Sequence, residues 1–117
     1  MDEFEVPESV VLNTCLGLLN LMGIYAWRNN TGAYKVKGNR TTKERIIHYG
    51  KKGSADILGI LPDGRFLAVE CKRKSGRASS DQLLFLSNIK ANNGVACIVK
   101  SCDELMEVLK AEGVVKK

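Results

Sequence analysis

Three residues, Asp56, Glu70 and Lys72, are of the types that hold a metal ion and handle a phosphate, and one β-hairpin can bring them together. Two β-forming runs, 55–61 and 65–72, are joined by Pro62-Asp63-Gly64. Pro pre-sets the first turn dihedral, Asp suits the second position, and Gly accepts the positive φ that closes a three-residue loop. With that loop Leu61 faces Arg65, and counting back along both strands sets Asp56 opposite Glu70. Strand side chains alternate, so Glu70 and Lys72 leave from one face, and Asp56 shares it. A two-residue Asp63-Gly64 loop would shift the register and lose the facing pair.

Like charges opposite each other on strands destabilise the pair. A divalent cation compensates, and Mg²⁺ takes one or two carboxylates together with water and phosphate oxygens. The chemistry this predicts is phosphodiester hydrolysis, in which a metal polarises a phosphate oxygen and lowers the pKa of water. Lys72, beside both, would position the nucleophile or offset transition-state charge. The Cys71 side chain should point into the core on the other face, while its backbone carbonyl can still reach the metal. A bland reading also exists: an exposed strand end with a Glu70–Lys72 surface pair. The facing Asp56, the hairpin and the basic surroundings favour the catalytic one.

The elements that must position these groups follow from periodicity and turn signals. A first helix is predicted from Pro7 to Met22, with Val10, Val11, Thr14, Leu18, Leu21 and Met22 at helical spacing. A strand over 24–28 follows, then a turn at 29–32 and a short strand over 33–37. Residues 38–53 are rich in Gly, Lys and Thr with little periodicity, and read as a mobile loop. After the hairpin, Ser80 is expected to cap a helix from Asp81 to about Asn92. Val95–Val99 is fully apolar, hence a buried strand. Ser101 and Glu104 form a capping-box pattern opening a last helix that closes before Gly113. The order α-β-β-β-α-β-α predicts an α/β fold, one mixed central sheet flanked by helices.

The chain of 117 residues and 12.9 kDa reads as one domain, 1–117. No apolar run approaches the roughly 20 residues of a spanning helix, and the acidic start is unlike a secretory signal. Cysteines 15, 71, 97 and 102 show no zinc spacing with the lone His48, so free thiols in a cytoplasm are expected. No G-x-x-x-x-G-K-[ST] loop is present, which disfavours a nucleotide cofactor. The net charge is +5, and its distribution says more than its size. Residues 28–77 hold 13 basic and 4 acidic residues, net +9, and the rest of the chain is net −4. A basic middle suits a polyanion. On charge alone, a solvated loop that keeps the protein soluble explains it equally well.

Taken together, Gly53-Ser54-Ala55-Asp56, a hairpin and Glu70-Cys71-Lys72 resemble the D…E-x-K signature of the PD-(D/E)xK nuclease superfamily. The α-β-β-β-α-β order is similar to that superfamily's restriction-endonuclease-like core. More narrowly, from about Glu8 to Leu109, the chain resembles a stand-alone VRR-NUC domain of the phage or bacterial kind. Glu8 on the first helix, Arg28-Asn29-Asn30 with Gly32, Gly53 before Asp56, and Gln82 after Ser79-Ser80 carry that resemblance. It implies a Mg²⁺- or Mn²⁺-dependent DNA endonuclease, a homodimer acting on branched or junction DNA in a bacterial or phage-infected cytoplasm. It assigns metal binding to Asp56, Glu70 and the Cys71 carbonyl with Glu8 in support, catalysis to Lys72, and an accessory role to Gln82. Ala55 stands where the family often has Pro, a loss of backbone stiffness that removes no ligand.

Other readings stand beside these. Glu8 also suits the dipole of a helix N-terminus, and Gln82 a solvated first turn. Arg28 and the Lys51-Lys52 pair are candidate phosphate contacts, or solvated charges; Arg73 and Lys74 belong to the same DNA-facing group. His48 reads as a loop histidine, and Tyr25 and Trp27 as core or dimer packing. A catalytically inactive DNA-binding module of the same fold, and a purely structural interaction protein, are the alternatives to the enzyme.

Overall fold

The computed structural model describes residues 4–115. Helix α1 (Glu8–Leu21) leads into β1 (Tyr25–Arg28), β2 (Gly32–Val36), β3 (Arg45–Tyr49), β4 (Ile57–Ile60) and β5 (Phe66–Cys71). Helix α2 (Ser80–Ala91), β6 (Val95–Val99) and α3 (Cys102–Ala111) complete the chain. The fold is mixed α/β. Its central sheet has the order β1-β4-β5-β6, antiparallel except for the parallel β5–β6 pair. Among the described residues no helix is long and apolar enough to cross a membrane.

The sheet carries two unequal layers. On one face Ile57, Leu67, Val69 and Cys71 pack against Val11, Leu12, Cys15 and Leu19 of α1 and Leu105 and Leu109 of α3. On the other, Ala68 and Ala96 meet Leu86 of α2. A single helix does not cover that face. Trp27 and Tyr25 are not part of the core: they stay exposed on edge strand β1 with ring centroids 5.3 Å apart.

Three expectations are corrected. The α1 stripe is turned: Val11, Leu12, Cys15 and Leu19 are buried, while Leu21 lies open. Ser9, Asn13, Gly17 and Asn20 recur at helical spacing on the exposed side, and the inner stripe lies opposite them. The cap of α2 is Ser79, not Ser80. Gln82 stands at the third helical position and returns a bond to the Ser79 N–H at 2.8 Å; from Ser80 that position would be Leu83, which has no acceptor to offer. The third correction concerns 38–53. It contains β3, which pairs antiparallel with β2 in a separate two-stranded ribbon, Gly32 against Tyr49 and Val36 against Arg45. The radius of gyration, 16.7 Å, exceeds the roughly 13 Å of a compact chain this long, as a projecting arm requires.

Candidate metal centre

The hairpin turn closes as its residues dictate. Gly64 has φ +92°, its N–H donates to the Leu61 carbonyl at 2.8 Å, and the Leu61 N–H donates to the Arg65 carbonyl at 2.9 Å. The resulting register pairs Ile57 with Val69 and Ile60 with Phe66. One step further, Asp56 stands across from Glu70. Leu61–Arg65 is a hydrogen-bonded pair, and counting by twos makes 56/70 a non-hydrogen-bonded position, where opposed side chains come closest.

There the ladder stops. The Cys71 N–H donates to Asp56 Oδ2 at 2.9 Å, and the Ala55 carbonyl accepts from the Asn29 side-chain amide at 3.0 Å. The Asp56 carboxylate thus replaces the last rung. The N–H and C=O of one strand residue point to the same side, so the Cys71 carbonyl faces Asp56. The Cys71 thiol is fully buried on the opposite face; contact with the Cys15 thiol and burial both push it up, keeping it neutral. All four cysteines are free.

Carboxylate oxygens of Glu8, Asp56 and Glu70 lie within 4.8 Å of one another. Glu8 comes from the first turn of α1, on the other layer, so the three acids meet around the end of the sheet. Glu70 is 1% exposed, and neither of its carboxylate oxygens has a hydrogen-bond partner. Burial first, then the Asp56 carboxylate beside it, push Glu70 up to about 9 against the partial relief of Lys72. The Lys72 ammonium is largely sheltered and lies 4.0 Å from Glu8 Oε1. Burying an unpaired ion costs several kcal/mol, a large part of the roughly 5–15 kcal/mol that holds a domain together. An ionised Glu70 therefore needs a counter-ion, and the all-oxygen donor set suits a hard divalent cation.

Next to the acids an open cleft of about 400 Å³ is lined by Pro7, Glu8, Lys72, Arg73, Gly76 and Arg77. Gly76 N–H donates to the Arg73 carbonyl at 2.8 Å, a tight turn that brings both arginines to one mouth. Arg77 was visible in the sequence only as one more basic residue; the Gly76 turn was the signal that it would join Arg73. Between the two arginines the Ser75 N–H donates to Glu5, which is held below the usual carboxylate range by that bond.

The remaining candidates are placed differently. Arg28 ends β1 opposite Ile57 and is exposed. Lys52 pairs with Asp81 at 3.4 Å. Lys51 lines a hollow with Phe66, Phe85 and Ile89, and Phe66 is at the far end of β5 from Glu70. The Lys74 carbonyl accepts from the Lys100 ammonium at 2.7 Å. The hydrogen bonds of Gln82 go to Ser79, so its carbonyl oxygen serves the cap. His48 sits on the ribbon, paired with Ala33.

Asn29, named in the sequence within Arg28-Asn29-Asn30 but given no role there, is the anchor of Asp56. Its N–H donates to the Asp56 carbonyl at 2.7 Å and its amide to Ser54 Oγ at 2.6 Å. Gly53, at φ +80°, lets the same segment press on α2; a Cβ there would stand 2.5 Å from the Asp81 carbonyl oxygen. Gly53→Ala is expected to cost about 1–3 kcal/mol in urea unfolding; an unchanged midpoint would show that this contact does not hold Asp56 in place. No protein-family model, no curated protein and no solved structure matches this chain.

Proposed function

We propose that the protein is a metal-dependent DNA endonuclease that hydrolyses phosphodiester bonds with Mg²⁺ or Mn²⁺, of the VRR-NUC type within the PD-(D/E)xK superfamily. The observation that carries this reading is Glu70: a carboxyl group buried, unpartnered and aimed at two further acids. A surface ion pair does not bury its acid, and few buried side-chain oxygens in a structural core go without a bonding partner. The central sheet and its helices run in the order expected of a restriction-endonuclease-like core, with the β2–β3 ribbon inserted after the first strand.

Asp56, Glu70 and the Cys71 carbonyl would hold the cation, with Glu8 supporting it or its waters. When bound, the metal supplies charge for the phosphate oxygen and acidifies water. The chain does the rest. Lys72, sheltered and beside Glu8, positions the nucleophile and offsets the negative charge that builds on the phosphate. Arg73 and Arg77 line the cleft on the strand's approach and meet neighbouring phosphates. Asn29 and the Cys71 N–H hold Asp56 in one orientation, so little reorganisation is needed when the substrate arrives. The homodimer and the preference for branched DNA belong to the same proposal.

The test is cleavage of branched and linear DNA with Mg²⁺ or Mn²⁺. Cutting that stops in EDTA and in Asp56→Asn supports the enzyme. Salt-sensitive binding without cutting under any divalent cation points instead to an inactive DNA-binding module, and loss of binding altogether leaves an interaction protein.

A further inference from the structure

We infer that the β2–β3 ribbon is a duplex-gripping arm, which enters the major groove of B-form DNA and holds the helix beside the acid cluster. This rests on the DNA reading above and adds to it the substrate class: double-stranded DNA flanking the cut.

Charge is the first observation. Between 35 and 45 the ribbon and its tip carry Lys35, Lys37, Arg40, Lys43 and Arg45 against a single acid, Glu44. Glu44 pairs with Lys35 at 3.5 Å. The other four cations have no carboxylate partner among the described residues. A ribbon whose only acid is already paired with a lysine faces a polyanion.

Shape is the second. A two-stranded ribbon fits the B-form major groove, about 12 Å wide. The A-form RNA major groove is too narrow to admit it, and a single strand has no groove. Isolated two-stranded ribbons are only marginally stable in water, yet this one is held ready. Tyr34 and Tyr49 share one face with ring centroids 6.4 Å apart. At the tip, Asn39 Oδ1 accepts from the Thr41 and Thr42 N–H groups, both at 2.9 Å, and from Thr42 Oγ1 at 2.8 Å. The Asn39 N–H returns a bond to the Thr42 carbonyl at 2.9 Å. Gly38 permits the crossing, since a Cβ there would lie 2.7 Å from the Thr42 carbonyl and the Glu44 nitrogen. Arg40 and Lys43 are thus presented on a formed turn, which lowers the ordering cost of binding.

Position is the third. The chain enters the ribbon through Asn29 and returns through Ser54, the two residues joined by the 2.6 Å bond described above. Both lead directly to Asp56. A helix held by the arm therefore lies at the metal end of the sheet.

The experiment uses the full chain in EDTA, so that cleavage plays no part. Binding of wild type and of Lys37→Ala/Arg40→Ala/Lys43→Ala is titrated on a duplex, a single strand and a double-stranded RNA at several salt concentrations. Each phosphate contact contributes about 0.9 to the slope of log K against log salt. The triple variant is expected to lose roughly 2–3 from the duplex slope and at least about tenfold in affinity at moderate salt. Its single-strand and RNA binding should barely change, and wild-type protection of guanine N7 from methylation should disappear. The three side chains are exposed, so the circular dichroism spectrum and melting midpoint stay those of the wild type. Equal duplex slopes, equal preference for single strands or RNA, or a change in self-association without a change in DNA binding would each overturn the arm. A wild type that grips duplex through the ribbon but never cuts with Mn²⁺ sinks the nuclease and keeps the arm. A nuclease whose triple variant binds and cuts as before does the reverse.

Discussion

Lys72→Ala is expected to leave a folded protein that binds DNA and Mn²⁺ but cleaves on the order of a thousandfold more slowly. The side chain lies at the rim of the acid cluster, mostly sheltered, with its ammonium 4.0 Å from Glu8. It is not needed for the core: the buried contacts of β5 are made by Leu67, Val69 and Cys71. Its removal takes one positive charge away from three carboxylates, so Mn²⁺ affinity should be retained or should rise. That split separates the lysine from the metal ligands. Asp56→Asn and Glu70→Gln lose cleavage together with metal binding, whereas Lys72→Ala loses cleavage alone. Lys72→Arg should not restore the rate, because a planar guanidinium presents its donors differently from a compact ammonium. Wild-type cleavage by Lys72→Ala, or a parallel loss of Mn²⁺ affinity, would remove the lysine from the chemistry. The rate is measured in single turnover under saturating metal, where binding does not enter.

The arrangement behind this prediction was legible because a turn fixes a register. Pro62-Asp63-Gly64 admits few geometries, and the pairing of 57 with 69 follows from it. Once the register is known, alternation places Asp56, Glu70 and Lys72 without further information. What the sequence hides is depth. Glu70 in an E-x-K triplet reads the same at a strand's solvated end as inside a closed layer, and its burial depends on packing that the triplet does not show. The ribbon was hidden for another reason. Both its faces meet solvent, so Arg45-Ile46-Ile47-His48-Tyr49 has no apolar–polar alternation to betray a strand. The lysine pair before Gly53 shows a third limit. Closeness in sequence to Asp56 says nothing of direction, and the Gly53 turn sends Lys52 to Asp81 and Lys51 over Phe85.

Glu70 should make the cation-free protein less stable as pH rises. With its carboxyl pushed up to about 9 by burial and by Asp56, the folded chain keeps a proton that the unfolded chain gives up near the ordinary glutamate value. Between those two values the folded state binds more protons than the unfolded one, so unfolding free energy falls with increasing pH. Glu70→Gln removes the effect and serves as the background for every other titrating group. In EDTA the variant and the wild type should melt together near pH 5. By pH 8 the variant should be the more stable by about 2 kcal/mol or more, several degrees in the midpoint for a chain of this size. A divalent cation reverses the order, because it replaces the proton on Glu70. Mn²⁺ should therefore stabilise the wild type far more at pH 8 than at pH 5.5, with an affinity that climbs by up to about tenfold per pH unit and a proton released into the buffer. Calorimetry in two buffers of different ionisation heat reads that proton directly. A wild-type midpoint that runs parallel to Glu70→Gln across this range, together with pH-independent Mn²⁺ binding, would mean that Glu70 is already ionised in the empty site. The buried acid would then lose its standing as the group that demands a metal.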